Sequence, residues 1–187
     1  MAHFHNHVDH LYADPQFQAD DNAVVAGTGA EAVADFFGLT DWPNTTATFN
    51  LGNRALTVIP IPGHSEDSIA IYDPWTQFLL TGDSVYPGYI FIADWTELTK
   101  SINRLVDFTA GHSVSYILGT HIEMTTSPGV GYGGTYQANE HVLQLKTEHL
   151  RELRDSLVEL LGAPAERIHD DFIIVPRVFG PEAFGDN

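Results

Sequence analysis

The chain reads as one α+β domain, and three features of the sequence point there. Apolar residues recur at helical 3–4 spacing in some stretches and alternate with the strand period of two in others. Gly, Asn, Asp and Pro punctuate the alternating stretches at hairpin distances. No repeat or linker interrupts the 187 residues, so residues 1–187 are taken as a single domain long enough to bury a core.

Taken in order, Leu11 to Asn22 is polar and mixed, with room for one short helical turn. Ala23 to Ala26 reads as a short strand, and Thr28 as the cap of a helix through Glu31 to Phe37 that Gly38 closes. Trp42-Pro43-Asn44 is loop. Thr46 to Phe49 and Ala55 to Ile61 flank Gly52-Asn53 as a hairpin, and Ser68 to Tyr72 and Gln77 to Thr81 form a second around Asp73-Pro74. Asp94 caps a helix from Trp95 to about Thr109, with Leu98, Ile102 and Leu105 on one face. Val114 to Leu118 is a strand, and Pro128 to Tyr136 a glycine-rich loop carrying Tyr132. The longest predicted helix runs from Gln137 to Leu161, its stripe being Val142, Leu145, Leu150, Leu153, Leu157 and Leu160. Phe172 to Val175 is a last strand, and the tail frays from Gly180.

Charge narrows the function. Twenty-five acidic against eight basic residues leave a formal charge of −17. Such a surface excludes nucleic acid as a partner and repels an anionic membrane, so a small-molecule substrate is expected. The same field favours cations in a cleft over bare anions. No apolar run reaches the roughly 18–20 residues that span a bilayer. Without a secretion signal the expected location is cytoplasmic, provided that Met1 is the true start. Cysteine is absent, which removes disulfides, thiolate metal sites and cysteine nucleophiles together.

Any metal is therefore held by His, Asp and Glu, and the first ten residues supply such a set. In MAHFHNHVDH, His5, His7, Asp9 and His10 form His-x-His-x-Asp-His, ligands suited to divalent transition metals and to zinc first. Three more candidates stand where loops leave apolar strands: His64 after Ile59-Pro60-Ile61-Pro62-Gly63, Asp83 after Phe78 to Gly82, and His121 after Tyr116 to Thr120. A strand end is rigid, and a small residue beside it lets the backbone come close. The repetition predicts ligands converging at one sheet edge. Seven ligands suffice for two ions, and a carboxylate such as Asp83 can bridge them. Taken alone, a histidine-rich start also fits a solvated, metal-sticky tail, but the Asp-His ending and the three later ligands argue otherwise. His3, His112, His141, His149 and His169 match no such position and read as structural or surface residues.

HFHNHVDH, PGHS, TGDS and GTH, in that order, resemble the metallo-β-lactamase superfamily of metallohydrolases over roughly Met1 to His121. The resemblance implies a four-layer αββα sandwich with its metals at one edge of the paired sheets. It implies His5, His7 and His64 on a first metal, Asp9, His10 and His121 on a second, and Asp83 between them. The implied activity is hydrolysis by a hydroxide bound between two zinc ions, attacking an ester, thioester, lactone or amide carbonyl, with Asp9 and Asp83 as catalytic ligands. Iron or manganese also suits these ligands. An iron-dependent oxidoreductase of the persulfide dioxygenase kind is accordingly the rival enzyme, and an inactive metal-binding fragment the third reading.

Two features set the chain apart within that resemblance. Met1 stands where the strand carrying the histidine loop would be ending, so the N-terminal part of the first sheet is expected to be missing. A truncated or excised chain is one account, and a compact variant that covers its exposed edge as a homodimer is the other. The cysteine-free ligand set resembles the hydrolase branches, such as hydroxyacylglutathione hydrolases and lactonases. There Tyr86, three residues past Asp83, is expected near the substrate or packed on Pro87 and Tyr89, and Tyr132 at the pocket mouth.

Overall fold

The computed structural model describes residues 1–132 and 136–177. The α+β expectation holds, with helices flanking two sheets of five and three strands. Hairpin β1 (Ala47–Asn50) and β2 (Ala55–Pro60) pairs Ala47 with Val58, and hairpin β3 (Ile69–Asp73) and β4 (Phe78–Gly82) pairs Asp73 with Phe78. β2 and β3 are also antiparallel, and β6 (Tyr116–Gly119) lies parallel to β4. The order is therefore β1-β2-β3-β4-β6, in which β2, β4 and β6 all point the same way. Each ends at the same edge, and each is followed by one of the three later ligand candidates. The small sheet runs β5 (Tyr89–Ile92), β8 (Ile173–Pro176) and β7 (Arg167–Ile168), with β5 and β8 parallel.

Alternation along the strands splits the core in two. Val58 and Ile69 face α3 (Ala30–Phe37) through Val33, Ala34 and Phe37. Their neighbours Ile59 and Ala70 face the opposite side, where α4 (Trp95–Gly111) and α5 (Thr147–Glu159) close a second and larger cluster with Ile90 and Ile174 of the small sheet. Leu98, Ile102 and Leu105 of α4 are completely buried there, as their spacing predicts.

The expected helix over Gln137 to Leu161 is cut to α5. Leu145 exchanges both backbone hydrogen bonds with Ile117, at 2.8 and 3.0 Å, and a residue paired across a sheet cannot also bond within a helix. Lys146 stays extended and the helix starts after it, leaving Val142 exposed. Ala23 to Ala26 forms no strand either. Besides a turn bond from the Ala23 N–H to the Asp20 carbonyl, it bonds Met1, by Met1 N–H to the Val24 carbonyl and Ala26 N–H to the Met1 carbonyl, too little for a ladder. Gly29 rather than Thr28 caps α3. β5 and β7 were not anticipated. Short helices α1 (Val8–Leu11) and α2 (Asp14–Gln18) occupy the polar N-terminal stretch. The tail from Gly180 and residues 133–135 of the glycine-rich loop lie outside the described residues.

Candidate metal centre

Glycine delivers two of the ligands, for a reason the sequence only half indicates. Gly63 sits at φ 139°, where a Cβ would stand 2.4 Å from the Leu98 backbone nitrogen. Gly82, at φ 54°, would put one 2.7 Å from the Phe4 Cβ. In both places the backbone closes on a neighbouring element and thereby aims the next residue, His64 or Asp83, off the sheet edge.

The seven predicted ligands come together in two groups that share Asp83: His5, His7, His64 and Asp83, then Asp9, His10, Asp83 and His121. In each group the ligand atoms lie within 4.8 Å of one another. His7 Nδ1 is 2.8 Å from His5 Nε2 and 3.1 Å from His64 Nε2, and Asp83 Oδ2 stands 3.7 and 3.8 Å from the latter two. On the other side Asp83 Oδ1 is 3.5 Å from His10 Nε2, and His121 Nε2 is 3.3 Å from Asp83 Oδ2 and 3.4 Å from Asp9 Oδ2.

Electrostatics make this a donor set for cations. Burial pushes the His5 imidazole down to about 3 against the pull of Asp83, and lowers His7 and His64 as well. His64 Nδ1 faces the Phe91 carbonyl at 2.8 Å, so the proton of its neutral ring is there and Nε2 offers a lone pair to the cluster. His10 Nε2 is buried with no hydrogen-bond partner. Burial alone would raise the Asp83 carboxyl, but His10, His121 and Thr120 outweigh it and hold the group well below the carboxylate range. The neutral imidazoles of His5, His7 and His64, the ionised and shared Asp83 carboxylate, and the Asp9, His10 and His121 donors beyond it fit two divalent cations.

A buried carboxylate that the sequence reading missed braces the first group. Asp67, 1% exposed, accepts the Asn6 N–H at 3.2 Å, the Gly29 N–H at 2.9 Å and the Ser65 hydroxyl at 2.8 Å. It ties the histidine loop to the turn carrying His64. Glu66-Asp67 between Ser65 and Ser68 reads as a surface turn, and only the apolar stretches further out, Ile59 to Pro62 and Ile69 to Ile71, hint at burial.

Five of the ligands, His7, Asp9, His64, Asp83 and His121, line a cavity of about 600 Å³ together with Asn6, Val8, Tyr86, Phe91, Glu123 and Arg177. Tyr86 reaches it with its ring, 5.8 Å between centroids from His121, while its hydroxyl donates to the Tyr89 carbonyl at 2.5 Å and lies 3.0 Å from Glu123 Oε2. Burial pushes that phenol up, and the Glu123 carboxylate adds to the effect. Tyr132 does not line the cavity; its hydroxyl bonds Asn139 at 3.0 Å. The five remaining histidines engage other groups. His3 meets Asp14, His112 stacks on Phe108, His141 and His149 flank Asp171, and His169 bonds Glu152.

Comparison with known proteins agrees with this geometry. The sequence model of the metallo-beta-lactamase superfamily matches residues 5–168. Human acyl-coenzyme A thioesterase MBLAC2 is 40% identical over 65 residues, 31% of this chain and 23% of that protein. The hydroxyacylglutathione hydrolase of Fuscovulum blasticum is 30% identical over 110 residues, 54% of this chain and 40% of its own. The chain thus matches under half the length of these relatives. Among solved structures, a metallo-beta-lactamase from Pontibacter korlensis superposes with a TM-score of 0.53 at 16% identity, over 84% of this chain and 67% of the other. An archaeal superfamily protein from Sulfolobus tokodaii gives 0.51 at 16%, over 91% and 70%. These two share the fold.

Proposed function

We propose that this chain, which belongs to the metallo-beta-lactamase superfamily, is a hydrolase of acyl compounds that works with two divalent cations, zinc first. The observation that carries the reading is the pair of ligand groups sharing Asp83 on the wall of one cavity. The relatives named as a thioesterase and as a hydroxyacylglutathione hydrolase favour a thioester among the carbonyl substrates considered.

Bound there, two cations supply hydroxide near neutral pH and withdraw charge from a substrate carbonyl. His5, His7 and His64 would hold one and Asp9, His10 and His121 the other, with Asp83 between. The chain's own groups do the positioning. The Phe91 carbonyl fixes the tautomer of His64, and Thr120 donates its hydroxyl to Asp83. Asp9, with half of its side chain exposed, is the carboxylate placed to accept a proton from an attacking water. Tyr86 keeps its proton and packs its ring beside His121. No serine or cysteine nucleophile is needed.

Metal analysis of the purified chain, combined with assays on thioester, lactone and β-lactam substrates, tests the reading. Colourless protein carrying about two zinc ions and cleaving one class is expected. Asp83→Ala should lower kcat/KM on the order of 10³-fold, about 4 kcal/mol. Full hydrolysis by that variant, or coloured iron protein without hydrolysis, overturns it.

A further inference from the structure

We propose that a second copy of this chain covers the apolar face of the five-stranded sheet beyond the reach of α3, giving a two-fold dimer joined away from its metals. Side chains paired across neighbouring strands share a face. The register therefore puts Leu56 of β2, Phe78 and Leu80 of β4, and Tyr116 and Leu118 of β6 on the side of Val58 and Ile69. The eight residues of α3 pack over Val58, Ile69 and Ile71. The other five side chains belong to neither core cluster among the described residues and are half-buried or exposed, with the Phe78 and Tyr116 ring centres 6.0 Å apart.

The same face holds a groove and the groups to fill one. A cavity of about 420 Å³ opens beside Leu56, Phe78 and Leu80, walled by Leu51, Arg54, Asp73 and Thr76. At its rim Trp75 is 74% exposed on the β3–β4 turn, and Leu51 is 58% exposed on the β1–β2 turn. The Arg54 guanidinium backs the Trp75 ring, 5.4 Å from its centre. A recess and a projecting aromatic on one patch are what a two-fold interface uses, since each copy then inserts into the other.

Charge selects the partner. Two chains of formal charge −17 repel over most of their surface, and a basic partner would be drawn to that surface rather than to this face. Here the carboxylates are missing. Arg54 is the only charged residue between Asp41 and Glu66, and residues 74–82 and 112–120 contain no Asp, Glu, Lys or Arg. Asp73, the one carboxylate in the five strands, is buried and paired with Arg54. Like-charged copies can therefore meet here with their carboxylates held apart. The turns bearing Leu51 and Trp75 precede β2 and β4, at the end of the sheet opposite His64, Asp83 and His121. Both metal cavities stay open in such a dimer.

Sedimentation equilibrium of the intact chain from about 1 to about 300 μM tests this. A monomer–dimer equilibrium is expected, dissociating on the order of 10 μM, just weaker than the micromolar floor of standard-size interfaces. Raising NaCl from about 0.1 to about 1 M should tighten it, because screening removes repulsion from an association that uses no ion pair. Trp75→Glu should raise the dissociation constant about 30-fold, the scale of a lost tryptophan anchor, and Leu51→Glu about tenfold. Val158→Glu, on the exposed side of α5, should leave it unchanged. The chain has no cysteine, so a single introduced thiol reports position. A short bis-maleimide should link two copies of Asn53→Cys and fail to link Val158→Cys. A monomer throughout, an open ladder of oligomers, weakening by salt, or a dimer that survives both glutamates at the turns overturns the proposal. Should those variants fail to fold, the cross-link decides: linkage through Asn53→Cys supports the face, and linkage through Val158→Cys alone overturns it.

Discussion

The two halves of the metal centre are built from the same residue types and held by opposite physics. In the His5–His7–His64 half, His5 is 2% and His64 5% exposed, and burial keeps the rings neutral. In the Asp9–His10–His121 half, the Asp9 side chain is 50% and that of His121 37% exposed, and ion pairing with Asp83 draws a proton onto His121. The first half is thus ready for a cation before one arrives. In the second, the cation must compete with a proton. Asp83 belongs to both, so what separates the halves is their packing, together with the Asp9 carboxylate that stands in the open half where the buried half has a third imidazole.

The largest effect that separates the halves is loss of a ligand. His64→Ala should cost on the order of 3 kcal/mol, roughly a quarter of the ~10–16 kcal/mol of a complete zinc site, at the buried half. His121→Ala should leave one tightly held zinc. Metal stoichiometry after exhaustive dialysis reads this out, and equal losses in the two variants would erase the distinction. A smaller effect is expected at Asp67, which braces only the buried half. Asp67→Asn should weaken the tighter zinc about 10–100-fold in competition with a chelator. No change would leave the carboxylate without a part in positioning the loop.

The smallest effect is acidification. The hydrogen bond to Asp83 raises His121, so as pH falls through that raised value protons displace the cation from the open half, by up to about tenfold per pH unit for one proton. His5 stays neutral down to about 3. Stepwise dialysis from pH 8 should therefore release one zinc before the other. Simultaneous release would mean that Asp83 couples the halves too tightly for burial to tell them apart.

Much of this was legible in the chain. Both hairpins, the α4 stripe and all seven convergent ligands follow from local pattern, because turns and strand-end glycines act over a few residues. What escaped depends on partners far along the chain. β5 pairs with β8 from the other end of the sequence, and no turn between them announces it. Leu145 fits a helical stripe as well as a sheet rung, and Ile117 decided between the two. Asp67 resembles a turn residue until Asn6 and Gly29 fold over it.

The order of the residues was enough to establish the ligand types, their grouping around a cysteine-free centre and the alternation that builds the large sheet, since each rests on short-range stereochemistry. It could not say which imidazoles would be buried, that Phe91 would meet both His64 and Arg177, or that Tyr86 would turn its hydroxyl to Tyr89 and Glu123. Those are outcomes of packing. Desolvation and proximity act between atoms that chain separation does not bring together, and they exist only once the sheets have closed.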